Sequence, residues 1–278
     1  MNAAEQSFGS ALRRWRTQRG LSQLALALQA EVSARHLSWL ETGRAAPSRA
    51  MVLRLAEHLS VPLRERNALL TAAGFAPLYP DRPLSDPALA PARAALQRLL
   101  DAHEPWPALA VDRHWNLVAH NRLVPLLMAH AAPALLQPPV NVLRLTLHPQ
   151  GLAPMLGNAA AWRAHVLARL QRQLQASADP VLAALHAELR ALPVAVQAQV
   201  DQTDPAAAAS APLGVDDIVV PLTLHTPLGR LDFITTVTVF GAPHDLTLSE
   251  LAIETLLPAD TATADRLRAL HAGLRAGG

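Results

Sequence analysis

Apolar positions recur at helical spacing from the start of the chain to about residue 75, and give way to strand-like alternation near its end. Phe8, Leu12 and Trp15 share one face of a helix predicted from about Ser7 to Gln18, with Gly20 ending it. A second helix opens at Ser22, with Leu24, Ala27 and Leu28 on one face. A third opens at Ser33, with Leu37 and Leu40 one turn apart. Ala30, Glu31 and Val32 leave room only for a tight turn between them, with Val32 as its apolar plug. Gly43 stops the third helix, since a left-handed residue there costs glycine nothing. Pro47 and Ser48 open a fourth helix through Met51, Val52, Leu55, Ala56 and Leu59. Pro62 opens a fifth through Leu63, Leu69 and Leu70, closed by Gly74.

The pattern then breaks. Pro80, Pro83, Pro87 and Pro91 fall within Tyr79–Pro91, a density that argues against helix and strand alike, so residues 79–91 read as an irregular, stiff linker. Beyond it come a helix over about 92–102, short strands at Pro107–Asp112 and Asn116–His120, and a helix capped by Asn121. Amphipathic helices follow over 159–176 and 179–192, the second capped by Asp179 with Pro180 at its first position. Residues 201–214, with AAAAS in the middle, read as a flexible excursion. Ile218–His225, Leu231–Phe240 and Leu251–Leu257 have strand composition, the first two joined by the turn Thr226-Pro227-Leu228-Gly229. In the middle strand Leu231, Phe233, Thr235, Val237 and Val239 share one face. A helix over Thr261–Leu274 closes the pattern. Two strands, a helical insert and three antiparallel strands are the order of a PAS-like domain. The fold class is therefore α+β: a five-helix unit at 1–78, the linker at 79–91, and a PAS-like sheet with flanking helices at 92–278.

Helices two and three form a helix-turn-helix, whose second helix is the one that would enter a DNA major groove. It presents Ser33, Ala34, Arg35, His36, Ser38 and Trp39 off or beside its apolar stripe. An arginine near the start of such a helix suits a guanine edge, which offers two acceptors. Gln23 can reach a phosphate, and Arg44 and Arg49 suit the phosphate backbone. The competing reading is a plain helical domain with a solvated arginine face, or a module that binds RNA or protein.

Charge favours the polyanion. All 24 basic residues are arginine, which with the abundant alanine reflects a GC-rich genome. Residues 1–83 carry 11 Arg against 6 Asp/Glu, a net of +5, while the remainder carries 13 against 16, a net of −3. No apolar run approaches the length that crosses a bilayer, MNAAEQSFGS lacks the features of a signal peptide, and cysteine is absent. The expected location is the cytoplasm. The 12 histidines show neither HExxH nor His-x3-His spacing, though His114 and His120 can face each other across a hairpin. No GxSxG elbow is present. No metal site, no cofactor and no enzyme are expected.

Two resemblances sharpen this reading. The span from LSQ (21–23) to LETGR (40–44) resembles the helix-turn-helix of XRE-family regulators, which implies that Arg16 pairs with Glu41. The strings HEPWPALAVDRHWNLVAHN, NVLRLTLHPQGLAP and TVTVFGAPHDLTLSELAIETLLPADTATADRLR resemble the ligand-binding domain of MmyB-type regulators. That family implies a transcription factor whose C-terminal pocket takes a small, largely apolar ligand such as a fatty acid. Trp115, Asn121, Asn141, Arg144, His148 and Phe240 fall in the matching segments and are the candidate pocket residues, with Arg144 suited to an anionic head group. Arg144 paired with an aspartate and Trp115 filling core remain the alternatives. The expected partners are a palindromic double-stranded DNA operator, a small-molecule effector and a second copy of the chain. The competing function is a ligand-independent regulator whose C-terminal domain only dimerises.

Overall fold

The computed structural model describes residues 7–177, 179–193, 220–240 and 245–276. The predicted excursion at 201–214 lies outside them. The chain divides into two units, one of residues 1–83 with 241–249, the other of 84–240 with 250–278.

The first unit is a bundle of α1 (Phe8–Gln18), α2 (Gln23–Gln29), α3 (Ala34–Glu41), α4 (Arg49–His58) and α5 (Leu63–Ala72). Four of the five begin at a serine whose hydroxyl accepts a backbone N–H of the first turn: Ser7 from Ser10, Ser22 from Ala25, Ser33 from His36, Ser48 from Met51. Leu12, Trp15, Leu26, Ala27, Leu37, Leu40, Val52, Leu55 and Leu70 are buried together. The predicted inner face of α2 needs correcting. Leu24 and Leu28 are 61% and 72% exposed, and the helix packs through Leu26, Ala27 and the following Ala30. The unit keeps hold of the chain past α5: the Asn67 side chain bonds Leu78 N, Tyr79 N and Tyr79 O, and Arg64 forks onto Asp81 at 2.7 and 3.1 Å. Leu246 N donates to Pro80 O at 3.1 Å, bringing the helical turn Leu246–Ser249 into the same unit. The chain thus changes units at Pro83, inside the span that reads as linker, and Pro87–Leu89 within that span forms a short 3-10 helix.

The second unit is built on five antiparallel strands, β1 (Ala108–Val111), β2 (Leu117–His120), β3 (Leu222–Thr226), β4 (Gly229–Val239) and β5 (Ala252–Pro258), in the order β2-β1-β5-β4-β3. Its helices are α6 (Ala90–Ala102), α7 (Val124–Met128), α8 (Val142–Leu147), α9 (Ala159–Ser177), α10 (Pro180–Ala191) and α11 (Thr261–Ala276). This is the α+β, PAS-compatible order that the sequence predicts, with α8 added. The helix expected from Asn121 starts later, at Val124; the Asn121 amide instead donates to Leu100 O and Trp106 O from a fully buried position. In β4 the predicted alternation holds: Leu231 and Phe233 are wholly buried on one face, which Thr235, Val237 and Val239 continue. His114 and His120 do not meet, since His114 bonds Asp179 at 3.0 Å and His120 bonds Asn121 O.

Glu104, just before β1, holds α11 and the entry to α7 together. Its carboxylate accepts Arg122 Nε and Nη2 at 3.1 and 2.7 Å, and lies 3.0 Å from His271 Nε2. The Arg122 bond is the chief cause that lowers its pKa to about 2. A carboxyl with a depressed folded-state pKa stabilises the fold above its unfolded value of about 4.5, and that contribution fades as pH falls towards 2. Glu104→Gln should therefore lower the melting temperature at pH 7, and the gap from the unmodified protein should close between about pH 4.5 and pH 2, as read by circular dichroism melts.

Candidate functional site

In the first unit the site is assembled around a buried ion pair. Arg16 of α1 forks onto Glu41 at the end of α3, Nε to Oε1 at 2.6 Å and Nη2 to Oε2 at 2.9 Å, and its third nitrogen donates to Leu21 O. Gln23, the first residue of α2, donates to the same carboxylate at 2.8 Å. Burial opposes the charge on Glu41, but the Arg16 and Gln23 bonds outweigh it and keep the carboxyl below its ordinary range. The pair that the resemblance implied is present. α1 lies close on α3 because position 9 is glycine: a Cβ there would stand 2.5 Å from Leu40 O and 2.6 Å from Glu41 O.

That frame sets the angle of α3. Leu37, Leu40 and Glu41 face inward, while Ser33, Arg35 and Trp39 are exposed and Ala34, His36 and Ser38 half-buried. Arg35 stacks on Trp39 one turn later, its guanidinium carbon 4.5 Å from the ring centre, so it stands extended from the helix. Arg44 and Arg49 are exposed beside it, and none of the three forms an ion pair among the described residues. Gln23 uses one amide N–H on Glu41, which leaves its second N–H and its oxygen for another partner. The turn before α3 holds Glu31 in the left-handed region at φ 54°, and Gly43 closes α3 at φ 73°.

In the second unit Asn141 and Arg144 lie beside Trp115, whose carbonyl accepts Val142 N–H at 2.9 Å. Arg144 forks onto Glu188 at 2.5 and 2.8 Å, a half-exposed pair that accounts for its raised pKa. Asn141 caps α8 and donates to His114 O, and His148 accepts Gln150 N. Phe240 is half-buried just past β4. Trp115 is central: 5% exposed, at φ 69° in the β1–β2 turn that Asp112 braces, it donates to Gln173 of α9 at 2.8 Å.

Sequence reasoning missed what Trp115 touches. Arg169 of α9 lies over its ring at 4.2 Å and bonds Glu254 of β5 at 2.6 Å. The available signal was Glu254 itself, the one charge within the strand AIETLLP. Burial, with Arg169 and Arg172 nearby, pushes His165 below its ordinary pKa. Among the described residues no group of three or more His, Asp or Glu side chains is placed to hold a metal, and no helix is long and apolar enough to cross a membrane.

Two family models match the chain. The model of the MmyB-like transcription regulator ligand binding domain matches residues 92–270, and that of a helix-turn-helix domain matches residues 7–69. No curated protein matches the chain. Among solved structures, an RNA-binding light-oxygen-voltage receptor aligns at 15% identity and a TM-score of 0.24, over 94% of this chain and 62% of that one.

The buried pair makes a sharp energetic prediction. Glu41→Ala leaves the Arg16 charge buried without its partner and should destabilise the first unit by about 3–5 kcal/mol. Replacing both, as Arg16→Met with Glu41→Leu, should recover most of that loss. Urea denaturation of the two variants, followed by circular dichroism on residues 1–83 expressed alone if that segment folds and otherwise on the full chain, checks both values.

Proposed function

The chain belongs to the MmyB-like transcription regulators, and from that membership we propose that it acts in the cytoplasm as a homodimer on a palindromic DNA operator, under control of a small apolar effector. A helix-turn-helix with a ligand-binding domain makes a DNA-binding regulator with a sensing domain. The observation that carries the DNA reading is α3 itself. Arg35 is exposed and pre-stacked on Trp39 at its start, Arg44 and Arg49 flank it, and residues 1–83 carry a net of +5. Arg35 is positioned to read a base edge, and Arg44 and Arg49 to meet phosphates. One recognition helix covers few base pairs, so useful affinity calls for two half-sites about one helical turn apart.

Selection from random duplex DNA with the purified chain should enrich such a site; enrichment of none would overturn the DNA assignment. Arg35→Ala should cost about 1–3 kcal/mol and relax one base position, whereas Arg49→Ala should weaken binding evenly across sequences. Trp39→Ala should relax the same position as Arg35→Ala, more weakly, by freeing the guanidinium.

For the sensing unit, a fatty acid or similar amphiphile is the effector class we assign. Support comes from the face of β4, where Val237 and Val239 are 45% and 63% exposed beyond the buried Leu231 and Phe233. Mass spectrometry of organic extracts should find an apolar molecule carried by the protein, and a matching amphiphile should raise its melting temperature. A blank extract together with an unmoved melting temperature would favour a domain that only dimerises.

A further inference from the structure

Trp39 is the large apolar side chain that α3 leaves in water, at 36% exposure. Its backbone is held in place where the helix ends: its carbonyl accepts Arg44 N at 2.8 Å and Ala45 N at 3.2 Å. Ala34 and Ser38, and Arg35 and Trp39, are each four residues apart and share the face of α3 that turns away from the buried Leu37, Leu40 and Glu41. On that face Arg35 is the one charge and Trp39 the one large apolar group.

The stack with Arg35 uses only part of the indole. The guanidinium lies over the ring with its carbon 4.5 Å from the ring centre, which leaves the edges uncovered. A cation–π contact at an exposed site is weak, and does not by itself account for so large an apolar group among Arg35, Arg44 and Arg49. The geometry supplies a second use. When an arginine bonds both acceptors of a guanine edge, its planar guanidinium lies in the plane of that base. Base pairs follow one another about every 3.4 Å along the duplex. A ring carried 4.5 Å from the guanidinium therefore stands at the level of the next base pair. Most groups that bases present in the major groove are hydrogen-bond donors or acceptors, which an indole edge would strip of water without replacing it. The C5-methyl group of thymine is the apolar exception.

Resting on the DNA reading above, we propose that Trp39 is a specificity-determining residue in its own right, and that it reads the methyl group of a thymine one step from the guanine that Arg35 reads. The stacked pair is then a single reader of two adjacent base pairs: a hydrogen-bonding fork for one and an apolar plate for the other. This role is separate from bracing Arg35, which asks for no particular base at the next step. Because the contact is with a methyl group and not with the polar edge of thymine, 5-methylcytosine offers the same group and is accepted in its place. Unmodified cytosine is not, so an operator with cytosine there gains affinity when it is methylated.

The test uses the full chain and the duplex enriched by selection from random DNA. Each thymine of one half-site is replaced in turn by deoxyuridine, which lacks only the methyl group, and affinity is read by fluorescence anisotropy. One replacement, a single step from the guanine whose preference Arg35→Ala relaxes, should weaken binding about fourfold, the worth of one buried methyl group. In Trp39→Ala the same replacement should change nothing, although that variant binds the unmodified site more weakly. At the same position 5-methylcytosine should be bound about fourfold more tightly than cytosine by the unmodified protein. A scan of the unmodified protein that finds no methyl-sensitive thymine overturns the proposal without recourse to any variant. Sensitivity that persists in Trp39→Ala overturns it too, and leaves Trp39 as a brace for Arg35 alone. In both cases the enriched site keeps the DNA reading standing; selection that enriches no site defeats the two together.

Discussion

The fork between Arg16 and Glu41 is the constraint on which the first unit depends. Its carboxylate gathers α1 through Arg16 and α2 through Gln23 at the point where α3 ends. The core beneath is mostly leucine and alanine, which resist separation but scarcely prescribe angle. Direction comes from a buried charge, which tolerates only arrangements in which its partners arrive together. Close approach at Gly9 then leaves α1 one seat on α3. Arg35 and Trp39 are aimed outward by this frame.

What the sequence makes legible is whatever is decided locally. A serine before an apolar stripe places the starts of four helices, and the alternation of β4 assigns its faces, because caps and pleats involve neighbours in the chain. What it hides is decided by residues far along it. In QLALALQ the leucines at 24 and 28 and the set at 23, 26, 27 and 30 are both valid helical stripes. The choice falls to Gln23, whose partner Glu41 lies eighteen residues on. Arg144 looks like a cation awaiting an anion until Glu188 is brought to it, 44 residues later. The meeting of Arg169 with Glu254, 85 residues apart, depends on strand register and helix crossing together. The short helix α8 was illegible for another reason: VLRLTL is as good a strand as a helix, and the cap at Asn141 decides it.

In the second unit the same division of labour recurs. Apolar side chains from α9 and the sheet fill the volume, while a few polar braces fix the parts that must not drift. Asp112 ties the β1–β2 turn through His114 and Asn116, Asn121 ties the end of β2 to the end of α6, and Glu104 joins Arg122 and His271. These braces close on protein groups.

The serine hydroxyls at Ser7, Ser22, Ser33 and Ser48 give the DNA-binding unit an uneven robustness to mutation. Each cap is worth about 1 kcal/mol, so together they match a large part of the margin by which a small domain stays folded. The core, with its many leucines, can lose a methyl group in several places and repack. A cap has no such reserve. The loss of one oxygen atom, serine to alanine, alters size very little, yet frees the start of a helix. At Ser33 that start belongs to α3, so such a change would spread through orientation rather than chemistry. In a chain so rich in alanine, these four oxygens are where drift would first show.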